Sequence, residues 1–201
     1  MNEQLAENNL QVIRTLMERT AVYRRALAPV MVMTGSIGTL AALVGFLWQP
    51  PFVLYWASVA VVVLVAALVL TRRQALKDGE PFWSPPTRRV VQALLPGLFV
   101  AAVVTAALGQ HGFAPAVASF WLMLYGCALH AAGFFAPQRL RVLGWVFIAG
   151  GAIQIMILST CRITIPITEG WAHVTMGVFF GLLHLGVGAY LYAITKTAYD
   201  L

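Results

Sequence analysis

The chain of 201 residues is 60% hydrophobic and 10% charged, and its 13 Lys and Arg outnumber its 7 Asp and Glu for a net charge of +6. Soluble domains run at about 45–50% apolar and 25% charged, so this composition, with a mean hydropathy of +0.81, excludes a soluble globular domain and implies an integral membrane protein. The length suits one helical bundle, and the placement of the basic residues set out below argues against nucleic acid as a partner.

Residues 1–25 are polar, with Glu3, Glu7, Arg14, Glu18 and Arg19 ahead of any long apolar run. No secretory signal peptide is expected, and the first span directs insertion. Leu10, Ile13, Met17 and Ala21 share one side of a helical wheel, which predicts an amphipathic helix lying on the membrane surface or docking a soluble partner. The membrane domain follows over 26–201. Its first span is 26–48, with Pro29 in the opening turn, where a missing N–H costs little, and with a small-residue stripe of Gly35, Gly38, Ala42 and Gly45. A turn at Gln49, Pro50 and Pro51 leads to the Val-rich second span, 52–71, expected to face lipid.

The polar connection 72–89 has a centre, Glu80 to Pro86, that favours extended and turn conformations, with Phe82 and Trp83 expected at the interface. The third span, 90–108, carries Pro96 and Gly97, where a kink is expected. His111 lies in the connection to the fourth span, 116–136. There Ser119, Met123, Gly126, His130 and Gly133 repeat at steps of four, three, four and three, a small-and-polar helical stripe. A tight turn leads to the fifth span, 142–160, which holds Gly150, Gly151 and Gln154. Over 161–172 Ile163, Ile165 and Ile167 alternate with Thr164, Pro166 and Thr168 in an extended pattern. The sixth span, 173–195, places His173, Gly177, Gly181, His184 and Gly188 on one stripe at 3.6 residues per turn. Glycines Gly177, Gly181, Gly188, Gly126 and Gly133 are therefore the expected helix-packing groove.

The predicted fold is an all-α bundle of six transmembrane helices preceded by an interfacial helix. Six spans collect every basic residue except Arg162 on one side: Arg14, Arg19, Arg24, Arg25, Arg72, Arg73, Lys77, Arg88, Arg89, Arg139, Arg141 and Lys196. By the positive-inside rule both termini face the cytoplasm. The two halves share no residues beyond glycine stripes, so no inverted repeat is read.

His130 and His184 fall about 21 Å and 17 Å into their spans at 1.5 Å per residue. Two imidazoles on glycine-lined stripes fit the axial ligands of a b-type haem. The plainer reading has each histidine bonded to a backbone carbonyl or to Gln154 across a helix contact, and a proton or substrate relay is the third. His111 and His173, with Glu169 and Cys161, fall near the external surface as metal-ligand candidates without recognised spacing; the bland alternative is solvated interface histidines. Cys127 and Cys161 form no CxxC pair, and no disulfide is expected. Arg162 and Glu169 are the external charges, an exposed pair contributing at most about 1 kcal/mol. No GxSxG, HExxH or P-loop pattern is present, so no catalytic residue is assigned. All seven acidic residues lie outside the predicted spans, unlike the midplane carboxylates of coupled carriers.

The run Glu18 to Pro29 (ERTAVYRRALAP), with Tyr125-Gly126 and His130 to Pro137 (HAAGFFAP), resembles small bacterial multi-span inner-membrane proteins of no assigned activity. The resemblance implies a bacterial inner membrane and supplies no catalytic residue. The expected function is a non-enzymatic accessory, sensory or scaffold bundle that meets a cytoplasmic protein through residues 1–25 and 72–89. The alternatives are a haem-binding electron-transfer subunit held by His130 and His184, or a small permease. Glycine stripes pack equally well within a bundle and between copies, so a homo-oligomer is compatible.

Overall fold

A computed structural model describes residues 27–77, 79, 81–160 and 169–197, together with Leu10. The expected surface helix over 1–25 and the extended stretch over 161–168 thus lie, Leu10 apart, outside the described residues. Within them the chain is helical, without strands, and six helices are long and apolar enough to cross a membrane. They are α1 (Leu27–Trp48), α2 (Phe52–Lys77), α3 (Pro85–Leu108), α4 (Ala114–Ala132), α5 (Arg139–Thr160) and α6. The last begins as an α-helix over Glu169–Met176, winds as a π-helix over Gly177–Leu183 and returns to α over His184–Thr197.

The helix ends differ from the hydropathy boundaries for local reasons. α2 continues six residues past Thr71, because Arg, Gln, Ala, Leu and Lys are good helix formers and the hydrocarbon edge is no helix terminator. α3 starts at Pro85, with prolines in its first positions where their lost N–H has no partner to forgo, and Pro96 lies within it. α4 stops at Ala132 rather than 136. Beyond it the Gly133 amide reaches the Leu129 carbonyl, while Phe134 and Phe135 bond three residues back, tightening the chain into a turn before Pro137. α6 starts at Glu169, four residues earlier than expected, with that carboxylate at the positive end of the helix dipole.

Between transmembrane helices there is no net hydrophobic drive, so close backbone packing decides which helices pair. Two seams do this here. In the first, antiparallel α1 and α6 meet stripe to stripe: Gly45 against His173, Ala42 against Gly177, Thr39 against Gly181 and Val32 against Gly188. A Cβ on Gly181 would stand 2.6 Å from Thr39 Oγ1, and one on Gly188 2.7 Å from Val32. In the second, Gly126 of α4 and Gly144 of α5 face each other, a Cβ on either lying 2.7 Å from the other's carbonyl oxygen; Gly151 meets the Ser119 carbonyl and Gly133 meets Arg141. Phe147 of α5 is fully buried against Tyr125 of α4 and Phe179 and Phe180 of α6, which joins the seams. α3 lies outside, held to α4 by Gly97 at the Leu124 carbonyl and by Trp121 Nε1 donating to Thr105 Oγ1 at 2.7 Å. α2 buries only Phe52 and Trp56, near its start, and Tyr55 donates its hydroxyl to the Ala41 carbonyl at 2.6 Å.

Gly181→Val should destabilise the folded bundle by about 1–3 kcal/mol through overpacking. Gly186→Ala, where a Cβ meets nothing within 4 Å, should be neutral or stabilise by up to about 1 kcal/mol. Denaturant unfolding in detergent measures both, and equal effects would refute the seam.

Candidate functional site

The buried polar chemistry of the membrane interior is concentrated on α6. His173, one turn into the helix, is fully buried. Its ring lies over Gly45 of α1, where any side chain would collide with Nδ1, and against Phe52 and Tyr55 of α2, edge to face at 5.4 Å and 5.6 Å. Trp56 Nε1 donates to His173 Nδ1 at 3.0 Å. An indole only donates, so Nδ1 carries the lone pair and the proton of the neutral ring sits on Nε2. Nε2 is buried and makes no hydrogen bond of normal geometry, although the Pro50 carbonyl lies beside the ring. One imidazole thus ties α1, α2 and α6 together.

This corrects the expectation of a surface histidine. His111 is exposed on a single 3-10 turn, Gly109–His111, and Glu169 is exposed at the α6 terminus. Cys161 is outside the described residues. No group of three His, Cys, Asp or Glu side chains suited to a metal occurs among the described residues.

His184 lies at the middle of α6, 1% exposed. Its Nδ1 is 3.0 Å from the Phe179 carbonyl and its Nε2 is 3.1 Å from the Tyr125 hydroxyl. A carbonyl only accepts, so Nδ1 donates and Nε2 accepts from Tyr125. Phe180 stacks on the ring at an interplanar angle of 12°, and Phe147 meets it edge-on at 5.5 Å. The expected five-residue stripe is therefore split: His173, Gly177, Gly181 and Gly188 face α1, while His184 faces α4. Steric room is the reason. A Cβ on Gly35 would lie 2.5 Å from the Leu185 nitrogen and 2.8 Å from the Gly181 carbonyl, so that level of the seam has no space for an imidazole. The π turn advances less rotation per residue than the α-helix and so carries His184 round to Tyr125.

His130 is half-buried near the end of α4. Its Nδ1 is 3.4 Å from the Arg141 carbonyl, a long contact, and its ring meets Phe134 and Trp145 edge-on, each at 5.5 Å. Tyr125 marks the level of His184 on α4, and five further residues place His130 about 7 Å along the axis. The structure does not bring His130 and His184 together. The residues also fit haem poorly, since an iron ligand must offer a free nitrogen and both nitrogens of His184 already serve the protein.

Gln154 pairs with neither histidine: its Nε2 donates to Thr175 Oγ1 of α6 at 3.1 Å, and its Oε1 is buried and unpaired. Gly126 and Gly133 serve the α4–α5 seam, and Gly177, Gly181 and Gly188 the α1–α6 seam. Cys127 is a free, exposed thiol on α4. Sequence reasoning missed Trp56 and Tyr125, the partners of the two buried imidazoles. Their signal was present as polar-tipped aromatics inside apolar spans, which require a partner when buried.

Tyr125→Phe leaves His184 Nε2 buried without a donor and should cost about 0.5–2 kcal/mol. Trp56→Phe should cost a similar amount at His173. Unfolding measurements that found both silent would contradict these bonds. No protein family matches the chain, and no curated protein or solved structure is found similar to it.

Proposed function

We propose that this chain is a non-enzymatic accessory or sensory bundle of the bacterial inner membrane, with both termini in the cytoplasm and a soluble protein partner engaged through residues 1–25 and 72–89. The observation that carries the reading is the use made of the buried imidazoles. His173 and His184 are each committed to a bond between helices, with Trp56 and Tyr125 respectively, so their polarity serves to fix the arrangement of helices. The orientation is supported by charge. Arg72, Arg73 and Lys77 at the end of α2, Arg88 and Arg89 at the start of α3, and Arg139 and Arg141 at the start of α5 all belong to one end of an antiparallel threading.

The competing reading is a b-type haem on His130 and His184. Protein purified from haem-replete cells is expected to be colourless. A Soret band lost in His130→Ala or His184→Ala would replace the accessory reading with electron transfer.

Topology is tested in a variant with Cys127 and Cys161 changed to Ala. Lys77→Cys should react with an impermeant thiol reagent only from the cytoplasmic side, and His111→Cys only from outside; reaction of both from one side would overturn the threading. Deleting residues 2–19 should leave insertion intact and remove a co-purifying soluble protein. A full-length chain that retains no such protein would refute the partner.

A further inference from the structure

The α2–α3 hairpin is the part of the molecule least engaged with the rest. No residue of α2 beyond Trp56 is buried, α3 rests on α4, and α2 and α3 make at most glancing backbone contact with each other. Leu64 and Leu68 on α2 and Leu95 and Phe99 on α3 are exposed apolar flanks. At 1.5 Å per residue α2 is about 39 Å long and α3 about 36 Å, whereas the hydrocarbon layer is about 30 Å, or roughly 20 residues. Counted from Phe52 and back from Leu108, the apolar layer ends near Thr71 and Arg89. Both helices overrun it at the same end.

That end is basic and open. Arg72, Arg73, Lys77, Arg88 and Arg89 are all exposed. The segment from Arg72 to Arg89 has five basic residues against Asp78 and Glu80, a net charge of +3. No acidic residue accompanies Arg88 and Arg89 in the first turn of α3. Cations at a helix N-terminus oppose the macrodipole, so helix stability does not account for them, whereas an external anion does. Trp83 and Leu76, 56% and 72% exposed, flank the cations with groups suited to the boundary between headgroup and acyl chain.

We infer that the basic end of the α2–α3 hairpin is a binding site for an anionic phospholipid, its phosphate held by Arg72, Arg73, Arg88 and Arg89 and its acyl chains lying along the open flanks of α2 and α3. Charge complementarity and apolar flanks continuous with the basic rim select this occupant over a soluble anion, which has no use for the flanks. The lipid belongs to the cytoplasmic leaflet if the orientation proposed above holds. The test below is run in detergent and is indifferent to orientation and to any protein partner, so the two readings fail separately.

Native mass spectrometry of the solubilised full-length chain, offered equal phosphatidylglycerol and phosphatidylcholine, reads the preference directly. A surface cation strengthens binding of an anionic lipid by about five-fold, so engagement of two guanidinium groups predicts a preference of about 25-fold. Changing Arg72, Arg73, Arg88 and Arg89 together to Gln should bring the two lipids near parity. Changing the same four to Lys should retain most of the preference, and Arg139→Gln should leave it unchanged. If the four-fold Gln variant does not fold, the Arg88→Gln, Arg89→Gln pair is read instead and should lose at least five-fold. Equal binding of the two lipids by the unaltered chain, or a preference that survives the Gln substitutions, overturns the site.

Discussion

The approach of the α1 and α6 backbones at Gly35, Gly38, Gly177 and Gly181 is the constraint on which the other arrangements depend. Lipid tails are as apolar as Leu, so helices gain little by hiding leucines from them, and contact between surfaces stripped of side chains decides the pairing. Once α1 and α6 are that close, His173 has one place to go, over the bare Gly45 and into the ring of aromatics that opens α2. His184 is denied the seam and takes Tyr125. The glycines therefore select the polar contacts as well as the apolar ones.

The α4–α5 seam uses the same device with a different outcome. Gly126 and Gly144 are reciprocal, each exposing its carbonyl to the other, while Phe147 fills the space toward α6. Helices joined by seams form the interior, and the helices without glycine seams, α2 and much of α3, stand at the edge with Val and Leu directed outward. A neutral imidazole can be kept inside this interior because each finds a partner that offers the correct complementary atom, an indole N–H or a phenol O–H.

The architecture was legible in the sequence because hydropathy and charge asymmetry act over twenty residues at a time, and small errors at the ends leave the count intact. Both glycine stripes of the first seam were also visible, Gly35 to Gly45 and His173 to Gly188, but nothing in a linear pattern says that two stripes belong to each other. The histidines were the harder part. A uniform 3.6-residue wheel put His184 beside Gly181, and the π winding that separates them arises from collision with another helix. His173 was read as a surface residue because the span was started at it, whereas the helix begins at Glu169 and carries His173 inward beneath Trp56. The alignment of His130 with His184 was a depth count from approximate ends, and the contact of Tyr125 with His184 replaces it with a direct measure.

The wide turn at Gly177–Leu183 also bears on how this protein can change over time. A stretch wound with more residues per revolution holds surplus chain relative to the ordinary spiral, and that surplus sets the rotational phase at which everything from His184 onward presents itself. Lineages that shorten this stretch by a single residue would rotate the second half of the helix by about 100° against the first, turning Gly188 away from Val32 and breaking the lower half of the contact with α1. Length here should consequently be held more strictly than residue identity, and the tolerance of this region to replacement should greatly exceed its tolerance to insertion or loss.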